Sequence, residues 1–129
     1  MSTAFLEHVN VTVSDPAATA KRLENWFGWK VRWKGDAKGG GTTYHIGNET
    51  SYVAAYSPPK QTTPVRDESY SHHGGLNHIA VVVDDLDATE ELIKADGYRT
   101  HNHGDYEPGR RFYFDDDDGI EFEIVSYQD

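Results

Sequence analysis

The stretch Leu76-Asn77-His78-Ile79-Ala80-Val81-Val82-Val83-Asp84-Asp85 repeats Leu6-Glu7-His8-Val9-Asn10-Val11-Thr12-Val13-Ser14-Asp15 at a shift of 70. Between residues 6–19 and 76–89, seven of fourteen positions are identical, and His8 and His78 coincide. Each copy reads as a strand running into a helix cap. A duplication of this kind narrows the fold sharply, because whatever one half forms the other must form too. A unit of about 60 residues is marginal alone, so two halves need each other or a partner chain.

The remaining signals fit two copies of strand, helix, then three strands. In the first copy, Phe5–Val13 alternates valines against His8, Asn10 and Thr12, which places the histidine on a polar face. Asp15-Pro16 starts a helix, Ala20, Leu23 and Phe27 fall at helical spacing, and Gly28 ends it. Strands are expected at Trp29–Trp33, Thr42–Ile46 and Ser51–Tyr56, with a loop at Gly35–Gly41. Residues 57–75 hold Pro58-Pro59, Pro64 and Gly74-Gly75 and read as an extended connection. In the second copy a strand at Leu76–Val83 precedes a helix from Asp85 to Ala95 with Leu92 and Ile93 buried. Strands follow at Tyr98–Thr100, Arg110–Asp115 and Ile120–Tyr127, with a polar loop at His101–Gly109. After the helix the shift becomes 69, aligning Gly28 with Gly97, Trp29 with Tyr98 and Tyr44 with Tyr113. The expected architecture is α+β: modules at about 4–56 and 76–127, joined by a 57–75 linker, in one domain over 1–129.

Charge and composition exclude several functions. The net charge of −10 disfavours binding to a polyphosphate backbone. No run approaches the ~20 apolar residues needed to span a membrane. With 5 Phe, 8 Tyr and 3 Trp the chain still has large groups to bury. It has no cysteine, hence no disulfide, thiol nucleophile or thiolate metal site. The N-terminus has neither a basic region nor an apolar signal core, so a cytoplasmic protein is the simplest expectation.

Two histidines in equivalent strands suit a shared metal, because imidazole ligates Zn, Ni, Fe and Cu. The last strand offers carboxylates: Glu121 and Glu123 share one face, and Ile120, Phe122 and Ile124 the other. At shift 69 the counterpart of Glu123 is Ala54, so the first half offers one ligand and the second half two. Two histidines and one carboxylate leave coordination positions open for substrate, water or dioxygen. His73, beside His72, and His45, on the third strand, are candidates for acid–base catalysis. Arg110-Arg111 offers an anion anchor or a rim ion pair, His101-Asn102-His103 a polar loop, and Asp115–Asp118 a turn rather than a calcium loop. Gly39–Gly41 lacks the Lys-Ser/Thr of a phosphate loop.

Three segments together resemble the vicinal oxygen chelate superfamily, which includes glyoxalase I, extradiol dioxygenases, and fosfomycin and bleomycin resistance proteins. They are Leu6-Glu7-His8-Val9 with Asp15-Pro16, Leu76-Asn77-His78-Ile79-Ala80, and the run from Phe112 through Asp115-Asp116-Asp117-Asp118-Gly119 to Glu123. Asp117 stands where the family's turn usually has Pro. The resemblance implies paired βαβββ modules in an eight-stranded, cup-shaped open barrel around a divalent ion (Fe, Mn, Ni or Zn). It implies His8, His78 and Glu123 as metal ligands and Tyr113 as a catalytic tyrosine of the extradiol type. Ala54 occupies the place of glyoxalase I's fourth ligand, so extradiol or epoxide-opening and isomerase chemistry is expected ahead of true glyoxalase I. The expected partners are an oxygenated small-molecule substrate and a second copy in a homodimer. The alternative is a sequestering protein of the bleomycin-resistance type, with Trp26, Trp33, Tyr52 and Tyr56 as candidate walls.

Overall fold

The computed structural model describes residues 3–37, 39–65 and 68–128. Lys38, in the expected loop at 35–41, and Arg66 and Asp67, in the expected linker, lie outside the described residues. The chain divides into two compact units, Met1–Thr63 and Pro64–Asp129.

The first unit contains β1 (His8–Thr12), α1 (Pro16–Phe27), β2 (Lys30–Asp36), β3 (Thr42–Gly47) and β4 (Tyr52–Ser57). Its sheet runs β1-β4-β3-β2, with β1 parallel to β4 and the other pairs antiparallel. The second unit has a 3₁₀ turn at Ser69–Ser71, then β5 (Ile79–Val82), α2 (Leu86–Ala95), β6 (His101–Tyr106), β7 (Gly109–Asp115) and β8 (Glu121–Ser126). Its sheet runs β5-β8-β7-β6, again with the first strand parallel to the last. Each unit is thus a βαβββ module, and the α+β fold class read from the duplication holds.

Both helices start by the same device. The Asp15 carboxylate accepts the Ala18 N–H at 3.2 Å, and the Asp85 carboxylate accepts that of Ala88 at 3.0 Å. Pro16 occupies the first turn of α1, where its missing N–H costs nothing. Gly28 ends that helix at φ 68°, a left-handed cap that a side chain would strain. Each helix covers one face of its own sheet. In the first unit Val13, Ala20, Leu23, Trp26, Ile46, Val53 and Ala55 are buried. In the second the same layer holds Val81, Leu86, Ile93, Phe112, Phe114, Phe122 and Ile124, with the Phe114 and Phe122 rings stacked at 5.3 Å. The other sheet face in each unit carries polar residues, together with Trp33 and Tyr52 in the first unit and Tyr113 in the second.

Several expectations change. The segment expected as a polar loop at His101–Gly109 contains β6, whereas Tyr98–Thr100 is not a strand. Period-2 reading missed β6 because its pairing with β7 shifts register between His101 and Gly104, where Asn102 takes φ 53°. It is an edge strand with a ladder on one side only, so it needs no apolar alternation. Leu92 is 42% exposed, contrary to expectation, whereas Ile93 is buried as expected and Leu86 joins it in anchoring α2. Trp26 is only 3% exposed within the helix core and belongs to that layer, not to a binding wall. The alignment of Tyr44 with Tyr113 is also displaced. Tyr113 pairs with Glu123 and His45 with Ala54, so the structural counterpart of Tyr113 is His45. The cause is length: four residues, 48–51, join β3 to β4, and five, 116–120, join β7 to β8.

Candidate functional site

In the second unit, β5 and β8 set His78 beside the two glutamates. Ala80 pairs with Glu123 in the parallel ladder, and His78 lies two residues before Ala80 on the same face. Tyr113 and Asp115 pair with Glu123 and Glu121 from the antiparallel side. One face of the sheet therefore presents His78, Glu121, Glu123, Arg111 and Tyr113. His78 Nε2 lies 3.1 Å from Glu123 Oε1. The second carboxylate oxygen of Glu123 accepts from Arg111 Nη1 at 2.9 Å. Both partners of that ion pair are nearly buried, with side chains 13% and 11% exposed. The Arg111 guanidinium lies over the Tyr106 ring at 4.8 Å. Gly104 leaves room for this, since a Cβ there would meet the Tyr106 ring at 2.6 Å. Arg111 Nε and Nη2 are buried without a protein acceptor. Tyr113 meets the His78 ring edge-on at 5.6 Å. Burial, then the charge and hydrogen bond of Glu123, push the Tyr113 hydroxyl above its ordinary value, so it holds its proton at neutral pH.

The opposite side of the His78 ring is also occupied. Its Nδ1 lies 3.1 Å from the hydroxyl of Tyr70, a residue of the 3₁₀ turn that precedes β5. Tyr70 donates its proton to Glu121 Oε1 at 2.6 Å. That bond, followed by burial and the Glu121 charge, pushes the Tyr70 hydroxyl up to about 12. Nothing in the sequence singles out Tyr70, because it lies in a proline-containing connection without periodicity.

The first unit repeats this plan with different residues. His8 Nδ1 is held by Glu7 Oε1 at 2.8 Å, and the Tyr52 hydroxyl donates to the same oxygen at 3.3 Å. The hydrogen bond from His8 is the main cause of a lowered Glu7 pKa. The rings of His8 and Tyr52 stack at 4.7 Å, Tyr52 and His45 at 4.5 Å, and His45 meets Trp33 at 5.1 Å. Arg32 lies over the Tyr52 ring at 4.6 Å. Burial, then the charges of His8 and Arg32, lower the pKa of His45 and keep its ring neutral. Asn10 pairs with Ala54 as Ala80 pairs with Glu123, so Ala54 does stand at the counterpart of that carboxylate.

The donors fit a divalent ion in three respects. Two ligand atoms bound at about 2.1 Å and a right angle lie about 3 Å apart, which the His78–Glu123 spacing matches. Each histidine has Nδ1 engaged and Nε2 turned away from that partner, the usual condition of a metal-ligating imidazole. Nε2 of His78 and Oε1 of Glu123 face each other as acceptors when His78 carries a single proton on Nδ1, and either a proton on Nε2 or a divalent ion between the two atoms satisfies both. Among the described residues no three His, Cys, Asp or Glu form one metal cluster. Of the other residues named from sequence, His73 is exposed, Arg110 pairs with Asp87 at 3.0 Å, and His103 pairs with Glu90 at 2.6 Å.

Two outcomes follow. Arg111→Met should leave the Glu123 charge without its partner and cost of the order of 3 kcal/mol in denaturant unfolding, with Arg111→Met/Glu123→Gln regaining much of it. An unchanged midpoint for the single variant would show that Arg111 does not stabilise the buried Glu123 charge. His45 binds its proton less readily folded than unfolded, so its contribution to stability is present above the unfolded imidazole pKa of about 6.5 and is lost as pH falls. Urea midpoints measured against pH should therefore fall less steeply on the acid side for His45→Gln than for the wild type.

Comparison with known proteins comes down to one family and its fold. The profile described as the Glyoxalase/Bleomycin resistance protein/Dioxygenase superfamily matches residues 5–124. No curated protein matches the chain. A glyoxylase/bleomycin resistance protein/dioxygenase domain from Frankia sp. EAN1pec has a similar structure, with a TM-score of 0.80 at 22% identity over 97% of this chain and 98% of that one. The fosfomycin resistance protein FosX from Listeria monocytogenes, complexed with Mn(II) and sulfate, has a TM-score of 0.72 at 21% identity, covering 98% and 93%. TnmS3, an antibiotic binding protein from Streptomyces sp. CB03234, has a TM-score of 0.73 at 16% identity, covering 98% of each chain. Among the described residues no helix is long and apolar enough to cross a membrane. On the profile match and the shared fold, this chain belongs to the glyoxalase/bleomycin resistance protein/dioxygenase superfamily, within the vicinal oxygen chelate group.

Proposed function

We propose that this protein is a divalent-metal-dependent enzyme acting on an oxygenated small molecule, with His78 and Glu123 as ligands and His8 as the third. The observation that carries the reading is the orientation of the two imidazoles: each is tied at Nδ1, by Tyr70 or by Glu7, which turns Nε2 away from that partner and, in His78, toward the Glu123 carboxylate. A bound Fe, Mn, Ni or Zn ion would act as a Lewis acid toward two neighbouring oxygens of the substrate. Arg111 holds one oxygen of Glu123, so the carboxylate offers the other as a single ligand. Tyr113, which keeps its proton, suits the role of acid, and neutral His45 suits that of base. These two stand at equivalent places in their modules. Ala54 offers no fourth ligand, which favours ring-cleaving dioxygenase or epoxide-opening and isomerase chemistry over true glyoxalase I.

A second reading is a ligand-sequestering protein. It is favoured by the Arg111–Glu123 pair, which balances the Glu123 charge internally, and by the Trp33–His45–Tyr52 row, which offers flat aromatic surface. Metal loading separates the two. After reconstitution with Mn, Fe(II), Ni or Zn, the enzyme reading expects one tightly held ion per chain by elemental analysis and calorimetry. His78→Ala and Glu123→Ala should each weaken it at least 100-fold. A wild-type protein that holds no ion, or variants that hold it equally well, would leave the sequestering protein standing.

A further inference from the structure

Tyr70 sits in the connection ahead of β5 and is 56% exposed, yet its hydroxyl makes two short contacts within its own unit. A phenol has one proton to give. The 2.6 Å contact to Glu121 Oε1 can only be a donated bond, because an ionised carboxylate offers no proton. The Tyr70 oxygen is then an acceptor toward His78 Nδ1 at 3.1 Å, and that nitrogen must carry the hydrogen. When the ring is neutral this leaves the lone pair on Nε2, the atom 3.1 Å from Glu123 Oε1; a second proton on the ring would be donated to that carboxylate.

The first unit has the same three chemistries in another order. There the carboxylate, Glu7, touches the imidazole, and the tyrosine, Tyr52, touches the carboxylate. Tyr52 and Glu121 stand at equivalent places of β4 and β8, since each opens its strand two residues before the Ala54 and Glu123 counterparts. The strand position thus holds a tyrosine in one module and a glutamate in the other. The complementary group comes from Glu7, beside His8, or from Tyr70, eight residues before His78. Both arrangements place hydrogen on Nδ1, so that a neutral ring has its lone pair on Nε2.

We infer that Tyr70 and Glu121 form a positioning pair that fixes His78 as the Nδ1–H tautomer, so that its Nε2 is presented as a ligand opposite Glu123. The ligand role of Nε2 rests on the metal reading above; the tautomer itself does not. Glu121 acts through Tyr70: it draws the phenolic proton away from His78 and makes the Tyr70 oxygen an acceptor. Without Glu121 the phenol is free to turn and donate to Nδ1, which would move the ring hydrogen to Nε2 and set it against the Glu123 oxygen.

The test uses the full-length chain with ¹⁵N-labelled histidine. In metal-free wild type at alkaline pH, long-range ¹H–¹⁵N spectra should show His78 protonated at Nδ1. Tyr70→Phe and Glu121→Ala should each move the hydrogen to Nε2. Glu121→Gln keeps an acceptor oxygen for Tyr70 and should retain the wild-type tautomer. Mn(II) or Zn affinity, measured by calorimetry, should fall about 10–100-fold in Tyr70→Phe and Glu121→Ala. The double variant should lose no more than either single one, because the two act in series. Wild-type His78 protonated at Nε2, or single variants that leave both tautomer and affinity unchanged, would overturn the inference. A wild-type Nδ1–H tautomer that responds to the variants in a protein holding no metal would uphold the positioning pair and overturn the metal reading instead.

Discussion

The parallel pairing of first strand with last strand in each module is the constraint on which the rest depends. Parallel strands cannot be joined by a tight turn, so the chain must cross over, and α1 or α2 together with two further strands fills that crossing. Once β5 lies against β8 with Ala80 opposite Glu123, His78 can only fall beside Glu121 and Glu123. The antiparallel neighbour β7 then delivers Tyr113 and Arg111 to the same face. A histidine and a carboxylate separated by 45 positions in the chain meet at 3.1 Å because of this register. A slip of one residue would send each of these groups to the helix side.

What the two modules share is backbone; what they differ in is side chains at matched places. His8 answers His78, but Ala54 answers Glu123, Tyr52 answers Glu121 and His45 answers Tyr113. The first module has become an aromatic and imidazole row, and the second a charged network running from Arg111 through Glu123 and His78 to Tyr70 and Glu121. The duplication thus supplies two histidines, each tied at Nδ1 within its own module, and a carboxylate, Glu123, at a strand position where the first module has Ala54.

The sequence made the repeated strand, both helix caps and the shared face of Glu121 and Glu123 legible, because each rests on local chemistry or on period. It left β6 unreadable, since an edge strand with a register shift has no alternation to detect. The offset of one residue between Tyr44 and the true counterpart of Tyr113 was hidden in the unequal turns at 48–51 and 116–120. Arg111 was visible as a charge, but its partner depends on a cross-strand diagonal. Tyr70 was invisible: its meaning comes from a contact with Glu121, 51 positions away, that no pattern in the connection announces. Local rules found the strands that carry His8, His78 and Glu123, and tertiary contacts determine which side chains hold them.

In the proposed metal site, His78 Nε2 and Glu123 Oε1 share one divalent ion. The most direct measurement is anomalous diffraction from crystals of the tag-free protein grown with Mn(II). The expected result is one strong anomalous peak per chain, within about 2.3 Å of both atoms, with Tyr70 still on the Nδ1 side of the ring. A site at His101 and His103 instead, or an intact Arg111–Glu123–His78 network with no peak beside it, would contradict the claim.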